Sequence, residues 1–148
     1  MITTTIDVSA IADLGKRFVT LQQADTLLRS IAVPMQGITR ERIHEKGLKA
    51  DGSPIGQYTK SYLKLRQSDK YKRSSDPKVI LSLTRDMERE YRVIPLSDTE
   101  YGLGWENPLE AQKAEWAEER FGQVWALTQE ELDGVRAIVQ DFIQRNFE

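Results

Sequence analysis

The sequence predicts an α+β fold: a small antiparallel sheet, made of an N-terminal strand plus a β-hairpin, packed against a long kinked helix and a C-terminal helix. Three observations predict it. Ile2, Thr4, Ile6 and Val8 alternate with Thr3, Thr5 and Asp7, the period-two pattern of a β-branched strand with one buried face. The same alternation returns at Tyr91-Arg92-Val93-Ile94-Pro95-Leu96 and again at Tyr101, Leu103 and Trp105. Between and after these stretches the apolar residues switch to helical spacing.

In chain order, Ser9 caps a short predicted helical segment carrying Ile11, Leu14, Phe18 and Leu21. From about residue 23 to residue 46, Leu27, Leu28, Ile31, Met35, Ile38 and Ile43 mark a longer helix. Pro34 interrupts it, releasing the carbonyl of Ser30, so a bend or two abutting helices is expected. Gly47 ends this helix, and Asp51-Gly52-Ser53-Pro54 reads as a turn. The stretch from about 48 to 78 reads as a long basic excursion with one short helix near Thr59 to Leu65. Loops of that length are functional or become ordered on binding. Val79, Ile80, Leu83 and Met87 suggest one or two helical turns leading into the hairpin, whose tight turn falls at Ser97-Asp98. Pro95 places the first arm at an edge. Asn107-Pro108 is a helix start, with Asn as the cap and Pro in the first turn, and that helix ends near Gly122. Thr128-Gln129-Glu130-Glu131 is a capping box opening a last helix with Leu132, Val135, Val139, Phe142 and Ile143 on its core stripe. No linker divides the chain, and 148 residues make one domain of ordinary size.

Composition removes whole classes of chemistry. There is no cysteine, hence no disulfide, thiolate nucleophile or thiolate metal site, and there is a single histidine. No apolar run is long enough to span a membrane, and the first residues carry no secretory signal, so a soluble, intracellularly made protein is expected. The 39% hydrophobic and 30% charged content suits a water-facing domain. Lys and Arg total 21 against 23 Asp and Glu, a net −2 that gives no global attraction to nucleic acid.

That near-neutrality conceals segregation. Residues 60–78 hold seven basic residues against two acids, a local +5, while residues 98–119 hold seven acids against one lysine, a local −6. The plainer reading is two solvated faces. The sharper one is self-complementarity, in which one subunit's basic segment meets the next subunit's acidic segment in a head-to-tail ring.

The remaining candidates are weaker. His44, beside Arg42, Glu45 and Lys46, reads as a residue on the surface of a helix end rather than as a base. Glu115, Glu118 and Glu119 could share a helix face, but no second acidic cluster supports a cation site. Gly102 and Gly104 resemble half of a phosphate-binding motif, in a hairpin arm where such a motif does not operate. Ser53, Ser61 and Ser82 lack a histidine partner. Tyr58, Tyr62 and Tyr71 interleave with basic residues as in single-strand nucleic-acid grooves, which makes a nucleic-acid-binding accessory protein the alternative function, with DNA contact allowed but not required.

Several of these elements in this order resemble the phage virion morphogenesis family, the small tail-completion or neck proteins of tailed bacteriophages. The likeness starts at Ile38-Thr39-Arg40-Glu41-Arg42-Ile43 and the turn containing Asp51-Gly52. It continues at Val79-Ile80-Leu81-Ser82-Leu83-Thr84-Arg85-Asp86-Met87, similar to the family's I-L-x-x-T-G-x-L segment with Arg85 in place of Gly. It closes on Glu119-Arg120-Phe121-Gly122-Gln123-Val124-Trp125-Ala126-Leu127-Thr128 leading into the last helix. The resemblance implies a structural virion component without catalysis or cofactor, a head–tail joining piece assembling as a cyclic homo-oligomer, six subunits by the family's precedent. Its partners would be other neck or tail proteins, its place the virion, with the host cytoplasm as its site during assembly and no membrane contact. Lys60, Lys64, Arg66, Lys70, Lys72 and Arg73 of the basic excursion, Tyr91, Tyr101 and Trp105 of the hairpin, and Glu115, Glu118 and Glu119 are the expected interface residues. Trp105 and Trp125 are the anchor candidates if exposed, with core burial as the plainer role.

Overall fold

Along the residues that the computed structural model describes, 2–9 and 21–147, the chain forms an α+β fold. The strands are β1 (Ile2–Asp7), β2 (Arg92–Ser97) and β3 (Glu100–Gly104); the helices are α1 (Leu21–His44), α2 (Lys60–Gln67), α3 (Asp86–Glu90), α4 (Pro108–Phe121) and α5 (Gln129–Phe147). The helical segment expected after Ser9, carrying Ile11, Leu14 and Phe18, lies outside the described residues, and Leu21, expected with it, falls in α1.

The sheet is antiparallel in the order β1-β3-β2, so the second arm of the hairpin becomes the central strand and Pro95 sits on the edge strand β2. Ile6 faces Tyr101 across one ladder and Ile94 faces Gly102 across the other. Gly102 has no room for a side chain: a Cβ there would lie 2.9 Å from Ile2 Cγ2 and 3.4 Å from Leu96 Cδ1. The paired glycines of β3 thus belong to sheet packing rather than to a phosphate loop.

α1 runs through Pro34 as one helix, so the two-helix alternative is not realised. Pro34 is exposed, where water reaches the carbonyl it releases, while Ile31, Ala32 and Met35 on either side are buried and hold both halves against the core. Of the predicted stripe, Leu27, Leu28, Ile31, Met35 and Ile43 are buried and Ile38 faces outward.

α4 and α5 begin as their sequences dictate. Asn107 Oδ1 accepts from the Leu109 amide at 3.0 Å, with Pro108 in the first turn. Thr128 Oγ1 accepts from the Glu131 amide at 3.1 Å while Glu131 Oε2 accepts from the Thr128 amide at 2.8 Å, a complete capping box. Val135, Val139 and Phe142 pack half-buried against the core, but Leu132, expected with them, is exposed. Glu131 turns inward, and a residue one step along is rotated by about 100° out of its direction.

The segment from Val79 to Arg85 is not helical, contrary to its spacing. Its backbone groups are taken by side chains from elsewhere: the Ile80 amide donates to Tyr58 Oη at 3.1 Å, the Ile80 carbonyl accepts from His44 and the Ser82 carbonyl accepts from Arg66. With those groups committed, a helical ladder cannot close through them. Leu81 and Arg85 take left-handed backbone conformations, with φ of 49° and 69°.

α1 is stopped by Gly47, whose φ of +66° is left-handed and whose absent Cβ would stand 2.6 Å from the carbonyl oxygen of Val79. Gly47→Ala is therefore expected to cost more than the ~1–2 kcal/mol of a left-handed L-residue alone, because backbone rather than a movable side chain blocks it. Urea unfolding of the variant beside Gly52→Ala, where φ is +82° but the space is open, isolates the clash.

Candidate assembly interface

The charged and aromatic residues singled out by sequence divide into those that build the subunit and those left on its surface. The division begins at Arg42. Its guanidinium is buried; Nε donates to Glu131 Oε1 at 2.8 Å, Nη1 to the carbonyls of Val124 at 2.9 Å and Leu48 at 3.1 Å, and Nη2 to the carbonyl of Ala126 at 2.8 Å. One side chain from the last turn of α1 thus holds the start of α5, the link before it and the turn after α1. Sequence flagged Glu131 as half of a capping box but gave no sign of this second role.

The hairpin aromatics are a correction to the expected interface. Tyr91, Tyr101 and Trp105 are buried in the subunit, as is Trp125. The rings of Trp105 and Trp125 meet edge to face at 4.7 Å between centroids, and Tyr91 lies 5.0 Å from Trp105. Both indole N–H groups are satisfied, Trp105 by the Met87 carbonyl at 2.8 Å and Trp125 by that of Ala114 at 3.1 Å. Tyr101 donates its hydroxyl to Asp25. These rings are committed to the core and leave nothing for a partner.

His44 is also corrected, from surface to interior. It is buried 5.8 Å from the Trp125 ring, with Nδ1 3.0 Å from the Ile80 carbonyl. A carbonyl only accepts, so Nδ1 carries the proton. Burial pushes its pKa below the ordinary value, partly opposed by the Ile80 hydrogen bond and by Glu88, while Arg40 adds to the lowering.

The basic excursion is a folded lobe. Gln57 bridges Lys78, the Tyr58 amide donates to the Pro77 carbonyl at 2.7 Å, and the Val79 amide donates to the Gly56 carbonyl at 2.9 Å, so its two ends are tied together. α2 forms inside it, capped by Thr59, whose hydroxyl accepts from the Tyr62 amide. Of its six expected interface cations, Arg66 is a correction: it is 2% exposed, stacked 4.3 Å over the Tyr58 ring and bonded to the Ser82 carbonyl at 2.7 Å. Arg73 is half-buried, reaching Ser82 Oγ at 3.3 Å, and burial together with Arg85 and Arg66 lowers its pKa. Lys60, Lys64, Lys70 and Lys72 are exposed and have no ion pair among the described residues.

On α4 the three glutamates separate in the same way. Glu118 Oε1 accepts from the amides of Val124 at 3.0 Å and Trp125 at 2.8 Å, closing the turn after the helix, so it serves the fold. Glu115 and Glu119 are exposed without an ion pair among the described residues. Sequence reasoning missed the hollow beside them: a groove of about 530 Å³ between the start of α2, the 79–87 segment and α4, lined by Tyr62, Leu81, Leu83, Met87, Ala117 and Phe121 among others. It also missed Trp116 and Leu109, 57% and 59% exposed on α4. Trp116 stands next to Ala117 and two residues from Ala114, both buried, and only the turn of the helix separates their directions.

Among the described residues no group of three or more His, Asp or Glu side chains is placed to hold a metal, and no helix is long and apolar enough to cross a membrane. No family model, curated protein or solved structure matches the chain.

Arg42→Met should destabilise the fold by about 3–5 kcal/mol, because it strands a buried carboxylate and three carbonyls; chemical denaturation measures it. His44 gives a pH signature. Its pKa is lowered on folding, so its contribution is complete above an ordinary histidine value of about 6.5 and is lost as pH falls through the lowered folded value. Stability followed downward from neutrality should start to decline near about pH 6.5, and His44→Gln should flatten that first part of the curve.

Proposed function

We propose that the chain is a structural virion protein of a tailed bacteriophage, a tail-completion or head–tail joining component that acts by assembling into a ring. The observation that carries this reading is how the charge segregation sorts on folding. Arg66 leaves the surface and Glu118 is taken up by the turn after α4, while Lys60, Lys64, Lys70 and Lys72 on one side and Glu115 and Glu119 on another stay exposed and without an ion pair among the described residues. Opposed unpaired charges on separate elements give identical subunits a head-to-tail register.

The conformation of Arg85 supports the family likeness independently. Its φ of 69° is left-handed, the region glycine favours, at the position where the family's I-L-x-x-T-G-x-L pattern carries Gly. The nucleic-acid alternative has the lysines but a reduced stacking platform, since Tyr58 is covered by Arg66 and bonded to the Ile80 amide.

Sedimentation of the purified chain across a salt series should show self-association that weakens as salt rises, and replacing Lys60, Lys64, Lys70 and Lys72 by glutamine should mimic high salt. In the phage that encodes it, deletion should leave heads and tails unjoined. Normal joined particles lacking the chain would refute the assignment. A salt-dependent DNA shift by a chain that remains monomeric would turn the reading to the nucleic-acid alternative.

A further inference from the structure

We infer that Arg73 and Arg85, close to Ser82, form a seat for a phosphate group, with the buried guanidinium of Arg66 adding positive charge beside it. The seat uses none of the exposed lysines of the ring-assembly reading and does not rest on that reading.

A buried cation without a counter-ion marks the place. Arg66 is 2% exposed, yet it forms no ion pair among the described residues. Its Nη1 donates to the Ser82 carbonyl at 2.7 Å, its guanidinium lies over the Tyr58 ring, and its Nε meets no acceptor. Buried charges in proteins are as a rule paired, because a lone one gives up its hydration and recovers too little. Arg42 follows that rule through Glu131, and Arg66 does not.

Two more guanidiniums stand close by. Arg73 Nη2 donates to Ser82 Oγ at 3.3 Å, so Arg66 and Arg73 converge on the carbonyl and the hydroxyl of one residue. Arg85 follows three residues along the chain and is exposed; neither it nor Arg73 forms an ion pair among the described residues. Burial lowers the pKa of Arg73, and Arg85 and then Arg66 lower it further, the mark of like charges held near one another; Glu88 opposes them. The nearby carboxylates do not cancel this charge. Glu88 Oε2 accepts from Ser82 Oγ at 2.8 Å, and Asp86 is taken by Arg89 and by the Thr84 hydroxyl. Three guanidiniums therefore share one glutamate that is already hydrogen-bonded, and the cluster keeps a positive excess.

A phosphate group matches what is missing. Its oxygens accept several hydrogen bonds at once, it carries more charge than chloride or a carboxylate when free, and guanidinium forks fit it two bonds at a time. Arg73 and Arg85 both keep N–H groups without an acceptor among the described residues. Ser82, Thr84 and Arg85 also line the groove beside α4, so the cluster opens on water there rather than into the core. The phosphate is either a free ion or one presented by nucleic acid, and the chemistry of the seat is the same for both.

The test is calorimetric titration of the purified chain with inorganic phosphate at constant ionic strength, for the parent, Arg73→Gln, Arg85→Gln and Lys70→Gln. Thermal midpoints in chloride verify that each variant is folded; Arg85 is exposed, so its variant decides the matter if Arg73→Gln does not fold. The parent should bind one phosphate per chain with a saturable heat. Each arginine variant should bind it roughly 30-fold more weakly, as for loss of charge-assisted hydrogen bonds. Lys70→Gln, on the outside of the same lobe, should bind as the parent does. A short single-stranded DNA then separates the sources: displacement of phosphate from the parent assigns the seat to a nucleic-acid phosphate, and no displacement assigns it to the free ion. A parent that binds no phosphate overturns the inference, as do folded arginine variants that bind it as tightly as the parent. An equal loss in Lys70→Gln makes the attraction a property of the lobe's overall charge and overturns it too.

Discussion

The link into α5 and the first turn of that helix are tied to α1 through one buried guanidinium. Arg42 is the residue through which α1, the turn after it, the link after α4 and the first turn of α5 are held in one place. A lone buried ion pair is a poor source of stability, because desolvation cancels most of the Coulomb attraction. This one carries three carbonyls and a helix cap on the same pair of side chains, so few of its polar groups are left without a partner. Its role is as much to specify as to stabilise: α5 cannot slip by a turn along α1 without abandoning Glu131.

The same economy runs through the rest of the interior. The aromatic cluster of Tyr91, Trp105, Trp125 and His44 fills the space between sheet and helices, and the indole N–H groups and the His44 Nδ1–H each end on a backbone carbonyl. One of these carbonyls, that of Ile80, lies in an irregular segment where no ladder would otherwise use it. Side chains from distant parts of the sequence thereby hold in place a stretch of chain that its own composition would have made helical.

That pattern explains what could be read from the sequence and what could not. Local signals were legible: the Asn107-Pro108 start, the Thr128–Glu131 box, the edge position of Pro95 and the period-two arms all have causes within a few residues. Non-local commitments were not. Nothing near His44 announces Ile80, nothing near Arg66 announces Tyr58 and Ser82, and nothing near Glu118 announces the amides of the following turn. A basic or acidic run reads the same whether its members end on water or on buried carbonyls. Of the residues expected at an interface, Tyr91, Tyr101, Trp105 and Arg66 are therefore interior, and Glu118 is bound into the turn after α4. Trp116 faces outward beside the buried Ala117, a difference that one step of helix rotation makes and composition does not show.

The closed base of the 57–78 lobe has a consequence for how such a chain can change over time. Its two ends are fixed side by side through Gln57 and Lys78, and Tyr58, Arg66 and Arg73 reach back from it by hydrogen bonds into the body of the protein. The entropy of closing a loop grows only slowly with its length. Residues between those anchors can be lengthened, shortened or rewritten without disturbing the sheet or the aromatic cluster. The lobe is in that sense a replaceable cassette: a lineage can revise the length and charge of this surface while inheriting the scaffold unaltered.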